Sequence, residues 1–98
     1  MIVRVSDDAE RDLADGIAFY DQHGHQIGDH FLNSVLGDLG ALSVLGGVHV
    51  KRYGYHWMAA KRFPFAIYYT LDGDKVFVIA VLDERRDPHW IQERLNRG

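Results

Sequence analysis

The chain has 98 residues, enough for one domain spanning 1–98 and too few for a second independent core. Apolar residues make up 47% of it, so a hydrophobic core can form without metals, and the absence of cysteine removes disulfides, thiolate metal sites and thiol nucleophiles. A formal net charge of −3 rules out a surface that is basic throughout and confines any anion-binding site to a local patch.

Met1 to Val5 alternates apolar and polar residues, and predicts a short first strand. Asp7-Asp8-Ala9-Glu10 then offers an N-cap with Glu three residues on, the spacing at which two side chains satisfy orphan backbone donors reciprocally. Ala9, Leu13, Ile17 and Tyr20 recur at helical spacing and predict a first helix ending at Gly24. A second helix is predicted over Gly28–Leu45, where Phe31, Val35, Leu39 and Leu42 form a stripe that Leu32 and Leu36 widen. Gly37 and Gly40 lower its intrinsic helicity by about 1 kcal/mol each relative to Ala, and their small size is expected to let the first helix come close.

Gly46-Gly47 stops the helix, and the period then changes. Val48–Ala60 is rich in Val, Tyr and Trp and reads as a strand, and Lys61-Arg62-Phe63-Pro64 reads as a turn. Phe65–Leu71 and Val76–Leu82 read as a hairpin around Asp72-Gly73-Asp74. The second of these has almost no polar relief, as expected of a central strand covered on both faces. Asp87-Pro88 starts a last helix, with Asp as N-cap, Pro at its first position and Trp90, Ile91 and Leu95 to dock it. The expected fold is α+β: an N-terminal strand, a two-helix hairpin, an antiparallel three-strand meander and a short C-terminal helix. Leu13, Ile17, Phe31, Val35, Leu39, Ile67, Val78 and Ala80 are expected to share one core.

Most candidate motifs for chemistry fail on their context. His23, His25 and His30 lie across a helix–helix turn without the spacing of a four-ligand zinc site, so no metal is expected. Ser6, Ser34 and Ser43 sit at a cap or on a helix, not in a nucleophile elbow. Gly46-Gly47 lacks the preceding strand and the following Lys-Ser/Thr of a phosphate loop, so no cofactor is expected. Tyr53, Tyr55 and Trp57 share a parity; one sheet face of aromatics is either a stacking platform or packing, and strand propensity favours packing. Arg85-Arg86 closes the most apolar strand, where it can form an ion pair with Asp83, Glu84 or Asp87 or serve as a binding site.

The segments Ala9-x-x-Asp12-Leu13, Tyr20 with Gly28 and Phe31, Arg62-Phe63-Pro64-Phe65-Ala66-Ile67-Tyr68-Tyr69, Val76–Leu82 and Arg85-Arg86-Asp87-Pro88, extended by Trp90 and Arg94, together resemble the RelE/ParE family of bacterial toxins. The resemblance covers nearly the whole chain. It implies a cytoplasmic, growth-inhibiting toxin of a plasmid-stabilisation-type toxin–antitoxin pair, held inactive by a cognate antitoxin whose disordered segment folds along it. Two activities exist in the family. RelE-like members cut ribosome-bound mRNA without metal, using basic side chains and an acid; ParE-like members poison DNA gyrase. Carried over by position, Arg62, Arg85 and Arg86 are the basic residues that both branches tend to retain; with His89, the only nearby residue suited to acid–base work, they are the candidate catalytic residues, and with Lys51 and Arg52, which add positive charge to the same face, the candidate antitoxin- or target-binding ones.

Asp83 stands where members often show His, and Trp90 near where a nuclease offers Tyr; indole does not exchange a proton at neutral pH. These departures, with the acidic overall charge, favour the ParE-like branch and a toxin that is not an enzyme. The alternatives are a RelE-like mRNA endoribonuclease and an inactive toxin-fold protein that only binds a partner; self-association stays open. No membrane association is expected.

Overall fold

The computed structural model describes residues 1–97. Its elements are β1 (Ile2–Val5), α1 (Asp7–Asp21), α2 (Ile27–Leu45), β2 (Lys51–Arg52), β3 (Tyr55–Ala59), β4 (Phe65–Asp72), β5 (Lys75–Asp83) and α3 (Pro88–Arg97). Their order is the predicted one with a short strand added. No helix among these residues is long and apolar enough to cross a membrane.

Ser6 both ends the first strand and caps the first helix. Its Oγ accepts from the Ala9 N–H at 3.1 Å, so Ser6 is the N-cap where the sequence pointed to Asp7. Asp7, Asp8 and Glu10 therefore fall in the first turn, where their charges oppose the positive end of the helix dipole. The helix stops at Asp21, short of Gly24. Asp87 caps α3 as predicted, its carboxylate accepting from the His89 N–H at 2.8 Å.

The five strands lie in the order β1-β5-β4-β3-β2, with β1 parallel to β5 and every other pair antiparallel. The predicted meander is the β3-β4-β5 part. The Val48–Ala60 segment folds back on itself at Tyr53 and Gly54, whose φ values of 56° and 87° suit the two-residue turn that joins Arg52 to Tyr55. Tyr53 thus lies in a turn, and the expected three-aromatic face reduces to Tyr55 and Trp57.

One irregularity in the sheet decides where side chains go. Tyr68 opposes Ala80 but Tyr69 opposes Val78, so Ile79 is an extra, unmatched residue on β5. Because side chains alternate along a strand, that single insertion inverts the parity of every later residue on it. Val76, Val78 and then Val81 face the helical hairpin, while Ala80 and Leu82 face α3. Two cores result. The first joins Ala9, Leu13, Phe31, Val35, Leu39 and Leu42 to Phe65, Ile67, Tyr69 and Val78, with Ile17 at its margin. The second joins Ala66, Tyr68, Ala80 and Leu82 to Ile91 and Leu95 on the opposite face. Ala80 therefore leaves the core in which periodicity placed it. Trp90, expected to dock α3, remains 37% exposed.

The close approach between helices is also made elsewhere than predicted. A Cβ at Gly37 or Gly40 meets nothing within 4 Å, so these glycines face away from α1. Gly16 is the contact instead: a Cβ there would lie 2.6 Å from the Phe31 ring. That ring packs within 4.7 Å of Phe65 and 5.3 Å of Phe63, centroid to centroid, which ties the hairpin to the start of β4.

Beyond Val5, β5 continues without β1 beside it. Three side chains take the strand's place: Asp12 accepts from the Val81 N–H at 3.0 Å, and the Ile79 carbonyl accepts from Arg94 at 3.2 Å and from Ser6 Oγ at 3.3 Å. Asp12 and Arg94 pair with each other at 2.7 Å, with side chains only 10% and 5% exposed. Burial raises the Asp12 carboxyl above its ordinary range even though Arg94 and the Val81 amide pull it down. Removing one partner of such a pair leaves a buried charge uncompensated, so Arg94→Ala should cost about 3–5 kcal/mol in urea unfolding. Asp12→Leu/Arg94→Met should recover only part of this, because the Val81 N–H still loses its acceptor and the Ile79 carbonyl keeps only the Ser6 hydroxyl, at 3.3 Å.

The loop between α2 and β2 hangs on Tyr69, whose hydroxyl accepts from the Gly47 N–H at 2.9 Å and lies 2.6 Å from His49 Nδ1. Its own proton then goes to Nδ1, which requires neutral His49. Burial, aided by His56, lowers the His49 pKa from 6.5. The unfolded chain then binds the proton more readily than the native one. The contribution is complete above the unfolded value and is lost as pH falls through the lower folded value. His49→Gln, which keeps an acceptor but does not titrate, should shrink the loss of melting temperature on going from neutral pH to about pH 5.

Candidate functional site

The end of β5 presents Asp83-Glu84-Arg85-Arg86 in succession, and each side chain goes a different way. Asp83 lies opposite Phe65, at the start of β4. Arg85 folds back on Asp83: its backbone N–H and Nε reach Oδ1 at 2.9 and 3.0 Å, and Nη2 reaches Oδ2 at 2.8 Å. Partial burial pushes the Asp83 carboxyl up, but the Arg85 hydrogen bonds and the two guanidinium charges outweigh it and hold the group below its ordinary range. Arg86 stacks its guanidinium 3.9 Å above the Trp90 ring.

Glu84 turns to the α3 face. Its Oε1 accepts from Trp57 Nε1 at 2.7 Å and from Arg52 Nη1 at 3.1 Å, and its Oε2 accepts from the Tyr68 hydroxyl at 3.0 Å. Arg52 also lies 4.1 Å over the Trp57 ring. Tyr68 is fully buried; burial first, and the adjacent Glu84 charge second, drive its hydroxyl far above the ordinary tyrosine value. The phenol stays protonated and acts as a donor. Glu84 is thus the acceptor on which β2, β3 and β4 converge.

The structure puts the predicted residues in different settings. Arg52 sits on Glu84 and Trp57, Arg85 on Asp83, and Arg86 on Trp90. Arg62 lies apart from them, sharing with Lys61 a cleft against α2. Lys51 is exposed opposite His56 on the edge of the sheet, and His89 is exposed at the first turn of α3. Between α1 and α3, a cavity of about 190 Å³ is lined by Asp15, Phe19, Phe65, Asp83, Arg86 and Trp90. Among the described residues no three His, Cys, Asp or Glu side chains are grouped to hold a metal. His23 instead places Nδ1 2.8 Å from the Phe19 carbonyl.

Sequence reasoning finds neither the Glu84 hub nor the Asp12–Arg94 pair. A signal for the pair exists: Arg94 falls on the docking stripe of α3, between Ile91 and Leu95, where a cation requires a buried acid. Nothing local marks Glu84, because its three donors come from strands 16 to 32 residues away.

No family model matches the sequence, and no curated protein matches it either. Among solved structures, the chain is similar to a chain of "Chromosomal ParDE TA system from P. aeruginosa". The TM-score is 0.56 at 19% identity, over 83% of this chain and 92% of that one. The fold is therefore RelE/ParE-like.

Truncation at Glu84 tests the hub. Glu84→Ala strands the Tyr68 hydroxyl and the Trp57 indole, and should cost about 2–3 kcal/mol, by the desolvation of groups left unpaired. Glu84→Gln keeps one acceptor and should cost less; equal losses in urea unfolding would show that the charge, not the hydrogen bonding, matters.

Proposed function

We propose that this chain is a single-domain toxin of a bacterial toxin–antitoxin pair, a ParE-like inhibitor of DNA gyrase that acts in the cytoplasm and is neutralised by a cognate antitoxin. The observation that carries the choice of branch is the position of the carboxylates. Asp83 grips Arg85, and Glu84 holds Arg52, at the end of the sheet where a nuclease would need free guanidinium groups to stabilise phosphate charge. A scissile phosphate would meet two acids there. The same residues suit a protein partner, because Trp57 and Trp90 lie beneath guanidinium groups, and Arg and Trp are favoured anchors of protein interfaces.

The proposed binding residues are Lys51, Arg52, Arg62, Arg85 and Arg86, and the resemblance of the fold to a ParDE system supports an antitoxin as one of the partners. A catalytic role for His89 has less support, since its ring is exposed and no hydrogen-bond partner holds it.

The purified chain should block supercoiling or trap cleaved DNA with gyrase, and should leave ribosome-bound message intact. Arg86→Ala, which removes a cation without breaking an ion pair, should weaken inhibition at an unchanged melting temperature. Primer-extension mapping is the decisive control: cuts at codon positions that vanish in His89→Ala would falsify the gyrase reading and make the chain a RelE-like ribonuclease.

A further inference from the structure

Three steps of the sequence place two cations side by side: Lys51-Arg52, Lys61-Arg62 and Arg85-Arg86. Folding neutralises a member of the first on Glu84 and a member of the third on Asp83. Among the described residues, neither Lys61 nor Arg62 has a carboxylate within ion-pairing distance. Asp38 of α2 is close by and buried, but it accepts the Lys61 backbone N–H at 3.3 Å, not the ammonium. In a chain of net charge −3, an exposed cation pair left without an internal acid stands out as electrostatically unsatisfied.

Both cations line a cleft of about 400 Å³, within the size range of ligand sites, whose other wall is α2. His30, Asn33, Ser34 and Gly37 supply that wall. They recur at helical spacing and so form one stripe, separate from the Phe31, Val35 and Leu42 stripe that packs on the sheet. Gly37 keeps the middle of it bare, since a Cβ there would meet nothing within 4 Å.

We infer that this cleft binds an acidic peptide segment, its carboxylates on Lys61 and Arg62 and its backbone along Asn33, Ser34 and Asp38. The side-chain amide of Asn33 and the hydroxyl of Ser34 both donate and accept, which matches the alternating N–H and C=O groups of a peptide. Asp38 adds an acceptor-only group that suits an N–H and repels a phosphodiester. The wall carries no Phe, Tyr or Trp, and His30 is its one ring. The inference deepens the partner reading above and rests on it for placing Arg62 at a partner surface, but its test is independent of gyrase inhibition.

The test uses the whole purified chain and three probes: a capped peptide alternating Glu and Ser, the same peptide with Gln for Glu, and inorganic phosphate. The Glu peptide should shift the backbone amide resonances of Asn33, Ser34, Gly37 and Lys61, and the Gln peptide should not. Lys61→Glu/Arg62→Glu should weaken binding at least about tenfold, as expected for reversal of paired charges. Gly37→Glu places an acid in open space in the cleft and should abolish binding with the fold intact by thermal melt. It supplies a second route should the double reversal unfold the chain. Shifts confined to β2 or to Arg85-Arg86, unchanged affinity in folded variants, or phosphate shifting the same amides with equal affinity would each overturn the proposal. Failure of the unsubstituted chain to bind the Glu peptide, with gyrase inhibition retained, would remove this cleft and leave the toxin reading standing.

Discussion

Past Val5 the edge of β5 has no strand beside it, and its Ile79 carbonyl and Val81 amide are met by Arg94 and Asp12 instead. Buried backbone groups without partners are costly, so a sheet edge that runs between two helices needs such surrogates. Asp12 comes from α1, on one face of the sheet, and Arg94 from α3, on the other. Their ion pair at 2.7 Å therefore fastens both layers to a single strand. Much of its Coulombic gain is offset, since both charges give up water and Arg94 Nη1 remains buried without a partner. What the pair adds is position. It meets the strand on both sides of Ala80, just where the extra residue Ile79 shifts the register, so that α1 and α3 close over one arrangement of β5.

The functional surface depends on that register. With the parity inverted after Ile79, Ala80 and Leu82 point to α3, and so does Glu84, while Val81 and Asp83 point to the hairpin side. Adjacent residues thus deliver two carboxylates to opposite faces of the strand end, one to Arg85 and one to Arg52, Trp57 and Tyr68. Two of the three cation pairs thus have one member held by an internal acid, Arg52 by Glu84 and Arg85 by Asp83. Lys61 and Arg62, in the loop that enters β4, are left out of this arrangement, and they face α2 across an open cleft.

Stability is divided between two cores of unequal kind. The hairpin core is broad and aromatic, with Tyr20, Phe31, Phe63 and Phe65 in mutual contact. The α3 core is small and closes over Tyr68, Ala80, Leu82, Ile91 and Leu95. Burying a large apolar side chain contributes roughly 1.5–3 kcal/mol, so the few anchors of α3 hold a helix of modest stability. The charged clamp at Arg94 and the Glu84 hub lie at the two margins of that smaller core. Polar contacts are thus placed where apolar burial is thinnest.

The sequence by itself determined the order of the elements and every one of them except the short β2. Helical spacing from Ala9 to Tyr20 and from Phe31 to Leu42, the Asp87-Pro88 start of α3 and the unrelieved apolar run of Val76–Val81 are local signals, and each is legible because its cause is local. It also marked Arg52, Arg62, Arg85 and Arg86 as clustered cations. The tertiary structure decided which of those charges are engaged: Arg85 takes Asp83, two residues away, but Glu84 and Asp12 find Arg52 and Arg94 by proximity in space and not in sequence. It decided that Ala80 leaves the hairpin core, since a one-residue bulge is invisible to a period-two pattern. It decided too that Gly16, not Gly37 or Gly40, carries the helix contact. Periodicity defines the faces of a helix, but which glycine lies under a neighbouring ring depends on the crossing point, and only packing sets that.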